Sequence, residues 1–129
     1  MNPPSKDIAE FLEDSATGTG LTSGVDLFYS YVPDDPDTCI AILDRPGMDS
    51  ESGYTYERPM IQVISRAFDY DVAYANIDTI KDALHDQSLL TINGTVYVFI
   101  KKVSDVGNLG EDMKKRMILS LNFLIHRTA

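Results

Sequence analysis

The chain has 129 residues and carries 20 Asp and Glu against 11 Lys and Arg, for a formal net charge of −9. That length sets one domain over 1–129, with room for a real core and none for a second, and 43% hydrophobic residues is the content of a folded globular chain. The acidic balance excludes nucleic acid held over a broad surface, which needs Lys and Arg clusters; it suits solubility, and equally a surface that lines a path for DNA without holding it.

The first residues, Met1-Asn2-Pro3-Pro4-Ser5-Lys6-Asp7, lack the charged and apolar regions of a signal peptide, and no apolar run reaches the length of a membrane span. A lone Cys39 permits no intramolecular disulfide, so a soluble protein of a reducing cytoplasm is expected. Ser5 to Asp14 predicts a short helix, with Ile8, Phe11 and Leu12 inward and Lys6, Asp7, Glu10 and Glu13 outward. Gly18 and Gly20 end it. Val25 to Val32 reads as a strand from its aromatic and β-branched content. Pro33-Asp34-Asp35-Pro36-Asp37 then makes a tight turn into a second, nearly all-apolar strand, Thr38 to Leu43, expected to be buried on both faces.

From Asp44 to Glu57 the apolar periodicity stops, which predicts a long loop or a flexible hairpin extension. Pro59 opens a central strand over Met60 to Phe68, where a proline removes no hydrogen bond the strand needs. Asp69-Tyr70-Asp71 supplies helix-start chemistry, and Ala73, Ile77, Ile80 and Leu84 recur at four, three and four residues, one face of an α-helix. Asn93-Gly94, flanked by Leu90-Thr91-Ile92 and Thr95 to Ile100, signals a hairpin with a two-residue type I′ turn. Ser104 to Lys115 is polar and predicts a second loop. In the last segment Met117, Leu119, Leu121, Phe123 and Ile125 alternate against Ser120, Asn122 and His126, which favours a long strand. The sum is an α+β, two-layer domain: a mixed, mostly antiparallel sheet of four to six strands, one long helix packed on a face, and a short N-terminal helix.

Catalytic chemistry is poorly supplied. Nucleophilic catalysis needs a base beside a Ser or Cys. His85 falls at the end of the predicted helix, where it favours the macrodipole, and His126 falls on the more polar face of the last strand, where solvation is expected. Cys39 in an apolar strand behaves as a small hydrophobe. Asp34, Asp35 and Asp37 could group around a hard cation, but the further ligands and the glycine of a calcium loop are missing, so a solvated turn is expected. Asp69 and Asp71 form an Asp-x-Asp pair that helix capping explains. Gly107-Asn108-Leu109-Gly110 lacks the strand-to-helix phosphate fingerprint, and one cysteine with two distant histidines gives no zinc spacing. The expectation is no enzyme, no cofactor and no metal.

The order of segments resembles the small siphophage neck proteins known as tail terminators, tail completion proteins or "minor capsid" proteins. The likeness rests on the helix Asp7 to Leu12 before a glycine-rich link into Leu27-Phe28-Tyr29. It rests further on the turn Pro33 to Asp37 before the apolar strand to Asp44, on Tyr56-Glu57-Arg58-Pro59-Met60-Ile61 through Ala67 with its following helix and hairpin, and on the closing Asn122 to Arg127. It covers nearly the whole chain as a pattern of order and composition. The resemblance implies a ring, usually a hexamer, in the virion at the tail–head junction, assembled in the bacterial host cytoplasm. Such a ring caps the tail tube protein, stops its polymerisation and offers a surface to the head connector or stopper, while DNA passes the lumen without specific binding and no membrane is involved. Loop length and tyrosine content point to contact residues in two loops: Met48, Glu51, Tyr54 and Tyr56 in the first, and Asp105, Asn108 and Leu109 in the second. Two other readings stay open: a head-completion or stopper protein of the neck, and a small non-enzymatic α+β binding module.

Overall fold

The computed structural model describes residues 1–48 and 56–128. Its elements in order are α1 (Pro4–Glu13), a 3-10 turn (Ser15–Thr17), β1 (Leu27–Tyr29), β2 (Cys39–Met48), β3 (Arg58–Ala67), α2 (Tyr70–Leu84), β4 (Gln87–Ile92), β5 (Thr95–Lys102), β6 (Gly107–Glu111) and β7 (Met117–Thr128). All seven strands join one sheet, ordered β1-β2-β3-β7-β5-β4, with β6 also on β7. Pairing is antiparallel throughout except for β1 on β2.

Strand β7 is the spine, because its regular alternation gives it two long partners. Its first eight residues, Met117 to Leu124, pair with Ala67 to Met60 of β3. Its other edge is shared: β5 takes Phe123 to Thr128 and β6 takes Met117 to Ser120. Between them Val103 N–H donates to Asn122 O at 3.0 Å, so β5 and β6 run as one interrupted strand along β7.

Side chains alternate across this sheet. Ile40 and Ile42 of β2, Ile61, Val63 and Ala67 of β3, and Leu119, Leu121, Phe123 and Ile125 of β7 face both helices and are buried. A register shift between Tyr97 and Phe99 turns both Tyr97 and Ile100 of β5 inward. Helix α2 begins where Asp69 accepts the Asp71 N–H at 2.8 Å, the short carboxylate capping an orphan donor. Its buried residues are Ala73, Ile77, Ile80 and Leu84, the stripe expected from the spacing. Removing Ile77, Ile80 and Leu84 from water contributes on the order of 5–9 kcal/mol before entropy is counted. Helix α1 has no side-chain cap of its own at Pro3. Asp44 of β2 replaces it, accepting Ser5 N–H at 2.9 Å and Ser5 Oγ–H at 2.7 Å, a negative charge at the positive end of the helix.

The structure corrects the expected elements in three places. The first strand is three residues long rather than Val25 to Val32, since Val25 and Asp26 form a turn whose N–H groups donate to Thr22 O, and Ser30 takes a φ of 72° that no strand continues through. The second runs on through Arg45 to Met48 and pairs with Arg58 and Met60; its outer half lost its apolar signal because it is exposed, as the arm of a hairpin. The Ser104 to Lys115 stretch holds strand β6, whose pairing through backbone groups left no alternation in Gly107-Asn108-Leu109-Gly110-Glu111. These bring the sheet to seven strands, beyond the four to six expected. The Pro-Asp turn is exposed as expected, and is tied down in a way described below. The Asn93-Gly94 turn has φ of 51° and 79°, the positive pair a type I′ turn demands, and Cys39 to Ile42 are all buried as the apolar run implied.

Candidate assembly surfaces

Three features of the described residues are built beyond what a packed core needs: the base of the β2–β3 hairpin arm, the clasp over the Pro-Asp turn, and the open strand β6. The first two are positioned by buried arginines, the third by its backbone pairing to β7.

At the arm, Arg127 is 5% exposed and donates to Glu57 through Nε at 3.1 Å and Nη2 at 2.8 Å. The same two residues exchange backbone hydrogen bonds at 2.8 and 2.9 Å. Its Nη1 donates to Asn2 O at 2.7 Å and to the Tyr97 hydroxyl at 3.3 Å. Tyr97 in turn donates at 2.5 Å to Asp7, which is wholly buried and also accepts from Asn93 Nδ2 at 2.9 Å. Burial, and then the Asp7 carboxylate, push the Tyr97 phenol well above its ordinary range, so it stays a donor. This polar chain fastens α1, the hairpin turn at Asn93 and the foot of the arm to one another.

On the other side of the sheet Tyr56 meets His126. The hydroxyl and Nδ1 share a hydrogen bond of 2.7 Å, the rings meet edge to face with centroids 5.4 Å apart, and Phe99 stacks on the imidazole at 4.1 Å. Burial first, and then the positive charge of Arg58, hold the imidazole below its ordinary 6.5. His126 is therefore packed between two rings rather than solvated as its strand position suggested.

The clasp lies at the far end of that outer face. Arg66 donates to the carbonyls of Asp34, Pro36 and Asp37 at 3.2, 2.6 and 3.1 Å. Arg116 reaches Asp112 at 2.7 Å, Asp34 at 3.1 Å and Asp37 at 3.2 Å, and Lys114 pairs with Asp34 at 2.6 Å. The Lys114 and Arg116 contacts lower the Asp34 carboxyl, and the backbone and side chain of Arg116 lower that of Asp112. Asp34 and Asp37 keep side-chain exposures of 66% and 48% while paired to these cations, and Asp35 is exposed as well, so the turn is solvated as expected and tethered to the sheet in addition.

Of the residues chosen from sequence, Met48 ends β2 with 57% exposure. Tyr56 is on His126, and Glu51 and Tyr54 lie outside the described residues. Asp105 pairs with Lys102 at 3.1 Å between β5 and β6; Asn108 and the exposed Leu109 belong to β6 itself, not to a loop. The structure thus splits them between two separate places, the arm and the β6 edge. Sequence reasoning missed Arg66, Arg116, Arg127, Tyr97 and Asp7. A signal existed for one: Arg127 continues the inward odd-numbered alternation of β7 past Ile125.

Catalytic geometry does not assemble around the candidates. The Cys39 thiol is buried and raised above its ordinary value mainly by that burial. His85 is the C-cap of α2, accepts Lys102 N–H at Nδ1 (3.3 Å) and faces Asp86, a tie between helix and sheet. Among the described residues no group of three His, Cys, Asp or Glu could hold a metal ion, and no helix is long and apolar enough to cross a membrane.

The fold has a solved counterpart. A chain of the structure described as "Virion of native gene transfer agent (GTA) particle" superposes with a TM-score of 0.74 at 13% identity, covering 98% of this chain and 96% of that one. At that identity the likeness is one of fold. No curated protein sequence matches the chain. The model of the family "Bacteriophage tail terminator protein" matches residues 14–129, from the end of α1 through β7. The chain therefore belongs to the bacteriophage tail terminator proteins, a family of structural proteins of the virion.

Proposed function

We propose that copies of this chain close into a ring, six in number, that caps the tail tube, ends its polymerisation and presents a surface for head joining. The observation that carries this reading is the family match over residues 14–129. The geometry supports it in a physical way. Among the described residues β6 pairs only with β7, and β4 only with β5, so the sheet leaves unpaired backbone donors and acceptors at both places. A closed ring of copies satisfies such edges, which a monomer leaves open to uncontrolled pairing. The tail tube protein and the head connector or stopper are the partners, the tail–head junction of the virion is the location, and assembly takes place in the host cytoplasm. DNA passes the lumen without specific binding, consistent with the net charge of −9.

The contacts to subunit or tube are assigned to the arm, with Met48, Glu51, Tyr54 and Tyr56, and to the β6 edge, with Asp105, Asn108 and Leu109. The arm is anchored by Arg127 and His126 at its base, as an element that must hold its direction would be. Electron microscopy of lysates from a phage lacking this gene, beside a complemented control, tests the function. Headless tails of uncontrolled length are expected. Tails of normal length beside filled heads would assign the joining or stopper role instead. Complementation with a chain lacking residues 49–53 tests the arm; normal rings and tails would take it off the list of contacts.

A further inference from the structure

One face of the sheet is covered by α1 and α2; among the described residues the opposite face is only partly covered. The Pro-Asp turn and the Arg66 clasp close one end of it. The remainder is laid out by the strand register. One row across four strands reads Arg45–Met60–Leu124–Lys101. The next reads Leu43–Gln62–Asn122, and on the other side His126 pairs with Phe99 and Arg58 with Met48. In a chain of net charge −9 these rows hold Arg45, Arg58, Lys101 and a histidine, and no carboxylate of their own; the bordering Glu57 and Asp105 are paired with Arg127 and Lys102. Arg45 and Lys101 are exposed, while Met60, Leu124, Leu43 and Phe99 are half-buried. Arg45 is held over the face by two hydrogen bonds to Gln62 Oε1 at 2.9 and 2.5 Å.

The same chain carries the complementary surface. Helix α2 buries Ala73, Ile77, Ile80 and Leu84. Displaced from them by two residues, and so turned about 200° around the axis, runs the stripe Asp71, Ala75, Asp78, Asp82. Asp78 has Lys81 at 2.7 Å; Asp71, Ala75 and Asp82 are exposed. Beside the stripe Tyr70 and Tyr74 lie with ring centroids 6.0 Å apart, at 45% and 41% exposure, side chains of the type that anchors interfaces. The spacings agree. Asp71 and Asp82 are eleven residues apart, about 16 Å along a helix, and Arg45 and Lys101 are three strand spacings apart, about 14 Å.

We propose that this sheet face receives the acidic stripe of α2 from a second copy of the chain, Asp71 and Asp82 meeting Arg45 and Lys101 across a centre of Met60, Leu124 and Ala75. The two patches lie on opposite layers of the molecule, so the contact is head-to-tail. Repeated from copy to copy it makes a ring when the rotation closes, and α2 becomes a middle layer between its own sheet and its neighbour's. The inference rests on the ring reading for its biological setting, but the contact itself is tested separately.

The experiment is oxidative trapping of the full chain carrying Ala75→Cys together with Met60→Cys, the native Cys39 being buried. A ladder of disulfide-linked oligomers is expected from the double variant and from neither single variant. In about 1 M salt, where the Debye length is about 3 Å, the ladder should fall roughly tenfold. Charge reversal gives the second arm. Arg45→Glu/Lys101→Glu and Asp71→Lys/Asp82→Lys, each added to the trapping pair, should abolish the ladder alone and restore it when mixed, because each reversed face then meets its complement. Dimers from Ala75→Cys alone would mean a symmetric helix contact and overturn the proposal, as would the absence of a ladder from soluble, folded double variant. A duplex-DNA mobility shift lost with Arg45→Glu/Lys101→Glu, without a ladder, would give the face to a phosphate backbone and also overturn it. Rings seen by microscopy without the ladder would leave the ring reading standing and remove only this contact.

Discussion

Replacing Tyr97 by Phe deletes one oxygen from a site where nothing can take its place. Tyr97 and Asp7 are both fully buried, and the phenol donates to the Asp7 carboxylate at 2.5 Å. Asp7 keeps Asn93 at 2.9 Å and Asn2 at 3.3 Å, while Arg127 Nη1 stands 4.0 Å away and loses its own contact to the phenol oxygen. A hydrogen bond to a charged group contributes about 1.5–3 kcal/mol. The aromatic ring is retained, so no cavity larger than the lost oxygen is opened. The expected loss is about 2–3 kcal/mol, a fall in Tm of roughly 6–12 °C for a chain of this size. Urea unfolding followed by circular dichroism measures it, with Tyr31→Phe, at an exposed position, as the control that should stay within about 0.5 kcal/mol. A double-mutant cycle with Asp7→Ala should give a coupling of about 1.5 kcal/mol or more. If Tyr97→Phe unfolds with the wild type, or the cycle shows no coupling, the polar chain does not fasten α1 and the arm as argued.

Two further predictions concern pH. His126 is held below its ordinary value by burial and by Arg58, so below about pH 6.5 the unfolded chain binds a proton that the folded chain refuses, and stability should fall as pH drops from there. A titration of the His126 ring protons by NMR should place its midpoint below 6.5, and His126→Phe should flatten that part of the stability curve; a midpoint above 6.5 would contradict the packing between Tyr56 and Phe99. Asp34 and Asp112 lie below their ordinary 3.8 through Lys114 and Arg116 contacts. Their contribution is present above that value and is lost as pH falls through the folded-state values. Asp34→Asn/Asp112→Asn should therefore show a shallower acid limb in urea midpoints below about pH 4, and an unchanged slope would mean that the clasp is screened out by solvent.

The family was legible in the order of segments, which runs over nearly the whole chain. The individual contacts were not. Asp34, Asp35 and Asp37 read as a solvated turn and are exposed, but nothing near them in the chain announces that Arg66 and Arg116, about 30 and 80 residues on, tie that turn to the sheet. His126 stood on the polar side of an alternating strand, and only the register of β5 on β7 brought Phe99 against it. Strand β6 left no pattern because, among the described residues, it has one neighbour and is held by backbone groups.

What the sequence determined by itself is local and periodic. The four-residue stripe of α2 with its Asp69 cap, the Asn93-Gly94 turn and the alternation of β7 each follow from forces acting within a few residues of one another. What the tertiary structure decided is everything carried by strand register: seven strands instead of four to six, the extension of β2 into an arm, the polar chain from Asp7 to Glu57, and the carboxylate-free row from Arg45 to Lys101. Register pairs residues up to 64 positions apart, and the side chains it gathers on one face are neighbours in space with no spacing in the chain to betray them.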